Sequence, residues 1–106
     1  MKNLIAATVA LAALAGVATS AAAAVSDVDY LRANRCRGLA EAGLTQVDTA
    51  GMDAFLKAEG RTRNAYVAER GKAEFDKAKR EAKTDSTEKK AKLTAELSGP
   101  CQAYKS

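Results

Sequence analysis

Residues 63–83 read RNAYVAERGKAEFDKAKREAK. The run has no proline and is built almost wholly from strong helix formers. Val67, Gly71, Phe75, Ala78 and Ala82 recur at steps of four, four, three and four, which draws a narrow apolar stripe along one side of a helix. Charged residues cover the other sides. The spacing predicts one helix from about Arg63 to Lys83, held to a core by a thin and alanine-rich edge. Gly71 lies on that edge. It is either a point where a second helix comes close or an ordinary helix position at modest cost.

Working toward higher numbers, Thr84-Asp85-Ser86-Thr87-Glu88 offers several helix caps and marks the clearest internal break. Leu93 and Leu97 then share a face one turn apart. Gly99-Pro100 stops that helix, because proline cannot continue it. Cys101 follows at once, and Tyr104 is expected to pack back on the core.

Working toward lower numbers, Gly60 with Arg61 and Thr62 interrupts the pattern, with Thr62 expected to cap the helix after it. Without a break, residues 48–83 would form a rod of about 50 Å at 1.5 Å per residue. A compact domain of this size has a radius of gyration of roughly 12 Å, so either a break at Gly60 or an extended hairpin with a partner is expected. Met52, Phe55 and Leu56 mark the face of the preceding helix. Thr45-Gln46-Val47-Asp48 resembles a capping box for it, with Thr49 as a rival cap. The first helix is expected from Asp27 to Ala42, capped by Ser26 and stopped by Gly43, with Val28, Leu31, Cys36, Leu39 and Ala40 on its inner side. There is no strand signal and no repeat. The expected fold class is all-α, a small bundle of three to four helices.

Residues 1–24 read as an export signal. Lys2 supplies the positive start, Leu4 to Val17 is free of charge, and a run of small residues follows. Ala22-Ala23-Ala24 predicts cleavage before Val25, with cleavage before Ala23 as the alternative. The apolar stretch is shorter than the roughly 20 residues a spanning helix needs, so no transmembrane anchor is expected. The style is bacterial, which predicts a periplasmic or secreted protein with a single domain over residues 25–106.

An exported chain with two cysteines, Cys36 and Cys101, predicts one disulfide. On the chain-entropy view, closing so long a loop gives about 4 kcal/mol. The large apolar residues are few, and a domain this small is marginal without such a staple. Zinc, haem and thiol-redox signatures are all missing. No metal or other cofactor is expected.

The formal charge is +4, or about +3 once Lys2 leaves with the signal. Acidic and basic residues alternate, which reads as a solvated helical surface rather than a nucleic-acid face. The chain has no histidine, and no nucleophile motif or paired carboxylate shares a helix face. The expectation is a protein that is not an enzyme. Two basic groups remain as candidate contacts for an anion or a partner. Arg32, Arg35 and Arg37 surround Cys36, and Arg61 and Arg63 flank the turn after Gly60. The bland reading is that both are solvated and paired with nearby Asp and Glu.

The expected architecture resembles that of the periplasmic acid-stress chaperones. None of their motifs occurs here, so the resemblance supplies no site residue. The leading functional expectation is an envelope binding or accessory protein serving another envelope protein, with a homo-oligomer as a further option. Alternatives are a stress chaperone whose acid response would rest on carboxylates such as Asp29, Glu41 and Asp53, and a cationic protein associating with anionic lipid or polysaccharide.

Overall fold

The computed structural model describes residues 24–105. The export signal lies almost wholly outside the described residues. Four α-helices follow one another: α1 Asp27–Glu41, α2 Ala50–Gly60, α3 Ala65–Glu81 and α4 Thr87–Ser98, with a 3-10 helix at Pro100–Tyr104. No strand occurs among the described residues. The all-helical class and the bundle expected from the sequence are what is observed.

Helix α1 is the hub. It packs against α2, α3, α4 and the 3-10 helix. Its inner edge is Tyr30, Ala33, Cys36 and Leu39, each 0–7% exposed. That edge corrects the sequence reading, since Val28 is 54% exposed. The residues that turn inward recur every three positions rather than starting at Val28. Ser26 caps α1 by accepting from the Asp29 amide at 3.1 Å, and its hydroxyl donates to the Asp29 carboxylate at 3.0 Å. This is a capping box with aspartate at its third position. Gly43, with φ of 77°, takes the left-handed conformation that ends the helix.

Two further caps differ from expectation. Thr45 starts no helix. Thr49 holds the N-cap position of α2 without a side-chain bond, and Asp48 Oδ1 accepts from the Ala50 amide at 3.0 Å instead. The chain does break after Gly60, but Thr62 does not cap α3. Its hydroxyl already donates to the Glu59 carbonyl at 2.9 Å, closing α2. Asn64 caps α3 by accepting from the Val67 amide at 2.9 Å. Ser86 caps α4 in the same way, accepting from the Lys89 amide at 3.1 Å.

The core is one cluster of Cys36, Leu39, Met52, Ala78, Ala82, Leu93, Leu97 and Cys101, with Leu44, Val47 and Tyr104 against it. Cys36 and Cys101 form the expected disulfide, 65 residues apart in sequence with Cα atoms 5.6 Å apart. Phe55 of α2 meets the Tyr104 ring with centroids 5.4 Å apart.

Helices α1 and α3 run side by side with no room for larger residues. A Cβ on Gly71 would lie 2.6 Å from Asn34 Nδ2 and 2.9 Å from Tyr30 Cε2. A Cβ on Gly38 would strike the Phe75 carbonyl oxygen and lie 3.0 Å from the Ala78 Cβ. Gly71 is thus a point of close approach. On an open helix Gly→Ala would stabilise by about 1 kcal/mol. At Gly38 the obstacle is backbone that cannot turn aside, so Gly38→Ala is expected to destabilise by about 1–3 kcal/mol in urea unfolding. Unchanged or increased stability would show that the two helices are not in such contact.

Candidate functional site

The arginines around Cys36 do not form one patch, because successive side chains leave a helix in different directions. Arg35 turns toward α3 and α4. Its Nε and Nη2 grip Glu96 at 2.7 and 3.0 Å, and Nη1 reaches Glu81 at 3.1 Å. The bonds to Glu96, with Glu81 behind them, hold its guanidinium above the ordinary arginine range despite burial. Arg37 points the other way, to Asp53 of α2 at 2.6 Å and Glu41 at 3.0 Å. Burial opposes its charge, and these two carboxylates more than offset that.

Arg63 ties the α2–α3 turn to the start of α1. It donates to Asp27 at 2.8 Å, to Glu59 at 2.8 Å and to the Val25 carbonyl at 2.9 Å. Its guanidinium also lies 5.5 Å from the centre of the Tyr30 ring. Arg61, two residues away, is exposed. Of the five candidate arginines, Arg35, Arg37 and Arg63 are therefore occupied within the protein. Arg32 and Arg61 are in no ion pair among the described residues, and they sit apart.

Arg32 borders a cleft of about 630 Å³. The cleft opens beside the disulfide, and its walls are Arg32, Arg35 and Cys36 of α1, Glu96 of α4, and Pro100, Ala103 and Tyr104 of the 3-10 helix. Most of the wall is apolar, and its volume is in the range of ordinary ligand sites. The local reason it exists is the Gly99-Pro100 stop. Proline turns the chain out of α4, and the disulfide then draws the next turn back against α1 without filling the space above Cys36.

Tyr104 fixes one wall. Its hydroxyl donates to Asp29 Oδ1 at 3.2 Å across 75 residues of sequence. Burial and the neighbouring Asp29 charge push the phenol up from its ordinary value, with Arg32 beside it working the other way. The Ser26 hydroxyl, helped by Tyr104 and Arg32, holds the Asp29 carboxyl down against desolvation. The charged and polar groups of the cleft are thus two mutually satisfied ones, Arg35 and Glu96, and two more in its wall, exposed Arg32 and half-buried Tyr104. Both sulfurs are in the disulfide, with no free thiol. Among the described residues no cluster of three or more His, Cys, Asp or Glu is placed to hold a metal, and no helix is long and apolar enough to cross a membrane.

Sequence reasoning reached Arg32 and Cys36 but not Glu96, Pro100 or Ala103 as neighbours. The disulfide pairing was the signal that places residues 100–104 over α1.

Fold and cleft together define a disulfide-closed all-α domain with one partly apolar recess at its staple. The chain matches no protein family, no curated protein and no solved structure.

The Tyr104–Asp29 bond makes a pH prediction. Asp29 binds its proton less tightly folded than unfolded, so its contribution is present above about pH 4 and is lost as pH falls through the lowered folded value. Tyr104 binds its proton more tightly folded, so its contribution is present below about pH 10 and is lost as pH rises through the raised folded value. Thermal melts of wild type and Tyr104→Phe should differ by a constant amount across neutral pH. That gap should close above about pH 10. A gap that stays constant through the alkaline range would mean the bond is absent.

Proposed function

We propose that this chain is an exported, non-enzymatic binding protein of a bacterial envelope, and that it takes a partner protein at the cleft beside the Cys36–Cys101 bond. The observation that carries the reading is the pairing of a mostly apolar recess with exposed Arg32 in its wall. The wall is held rigid by a covalent bond and the Tyr104–Asp29 contact, so the recess is pre-formed and little ordering is needed on binding. Of the charged groups lining the cleft, Arg32 is the one in no ion pair among the described residues. A guanidinium beside an apolar wall suits a partner segment that presents a hydrophobic side chain next to a carboxylate. The expected export signal and the disulfide support the envelope as the compartment.

The test places a photo-crosslinking residue at Ala103 in the exported protein. One dominant adduct is expected, and it should be lost in the Arg32→Ala background, with a crosslinker at exposed Lys57 giving none. A stress chaperone would instead give many adducts of similar weight at both positions. Adducts at Ala103 that ignore Arg32 would contradict the proposal.

A further inference from the structure

The net positive charge of this protein is gathered at one corner. Residues 77–92 hold seven basic and three acidic side chains, while all other residues from 25 to 106 hold nine basic and ten acidic. The whole surplus of the domain therefore resides where α3 ends and α4 begins. Overall composition conceals this, because the two counts nearly balance over the full chain.

The corner is compact. Lys77, Lys79 and Arg80 are in the last turns of α3, Lys83 is in the connection, and Lys89, Lys90 and Lys92 are in the first turns of α4. At 1.5 Å per residue, each group is within roughly 8 Å of its helix end. Six of the seven are exposed, and Lys79 lies 5.4 Å from the centre of the Phe75 ring. None of the seven is in an ion pair among the described residues. Of the three nearby carboxylates, Glu81 is already taken by Arg35.

Helix stability accounts for only part of this. Cations at the end of α3 complement its dipole. Lys89 and Lys90 do the opposite, placing positive charge on the positive end of α4. Repulsion along the corner adds to that cost. A charge arrangement that works against its own fold points to something outside the fold.

We infer that this corner docks the protein on the anionic phospholipid surface of a membrane. Six of the seven groups are lysines, compact charges on long flexible stems, rather than the arginine forks that grip single phosphates or carboxylates. Six of its seven basic groups are exposed, and none of its residues lines the cleft beside the disulfide. A fluid sheet of mobile headgroups can gather around such exposed charges, whereas a bound polyanion chain calls for a groove. The connection itself, Thr84-Asp85-Ser86, is polar, so attachment is electrostatic, without insertion, and sensitive to salt.

The experiment is co-sedimentation of the exported protein with vesicles of phosphatidylcholine alone and of phosphatidylcholine mixed with phosphatidylglycerol. Binding is expected only to the mixed vesicles, and it should weaken steeply as salt rises to about 0.15 M. The triple variant Lys89→Gln, Lys90→Gln, Lys92→Gln should bind about a hundredfold more weakly. It should also melt no lower than wild type, since it relieves repulsion at the α4 start. A control triple, Lys57→Gln, Arg61→Gln, Lys105→Gln, removes the same charge elsewhere and should lose far less. Equal losses in the two triples would overturn the inference. So would indifference to salt, or binding to soluble anionic polysaccharide with none to the mixed vesicles.

Discussion

The bond between Cys36 and Cys101 is the constraint from which the rest of the arrangement follows. It joins the middle of α1 to the 3-10 helix that follows α4, so the last described elements are drawn back onto the hub. Leu39, Met52, Leu97 and Cys101 are the largest fully buried side chains. Cys101 thus belongs to the core it closes. Alanine fills Ala33, Ala78 and Ala82 among the remaining buried positions and removes little area from water. A domain this small, with so much alanine inside, needs its covalent closure. The same bond creates the cleft, since it holds Pro100, Ala103 and Tyr104 over α1 without filling the recess beneath them.

Three arginines complete the assembly, and each serves two carboxylates. Arg35 gathers α3 and α4, Arg37 gathers α1 and α2, and Arg63 gathers α2 with the start of α1. Their side chains are 23%, 18% and 10% exposed. Exposed ion pairs contribute little, and partly buried ones return much of their gain as desolvation. Their main effect is on which helix lies beside which. By engaging Glu81, Arg35 also takes one of the three carboxylates near the lysines of the α3–α4 corner.

Much of this was legible in the sequence because it rests on local chemistry. Apolar spacing marked the helices, Gly43 and the cap-rich run from Thr84 to Glu88 marked ends, and two cysteines left one possible intramolecular bond. What escaped was set by tertiary competition. Thr62 has the chemistry of a cap, but its hydroxyl is spent on the Glu59 carbonyl, and Asn64 caps α3 instead. Val28 fits the apolar pattern of α1, yet the side that meets α3 is chosen by Tyr30, Ala33 and Gly38, whose small or flat shapes permit close contact. The candidate arginines were visible as a group. Their division into occupied and free was not, because Glu81, Glu96 and Asp53 are distant in sequence. The Tyr104–Asp29 bond left no sequence signal beyond an aromatic residue close behind the helix stop.

The most direct test of the central constraint is urea unfolding of the oxidised protein beside the Cys36→Ala, Cys101→Ala variant. If the bond closes a loop of this length over a marginal core, the variant should lose about 4 kcal/mol, a large share of what a small domain has. A variant within about 1 kcal/mol of the oxidised protein would show that the helices hold together without their staple, contrary to this account.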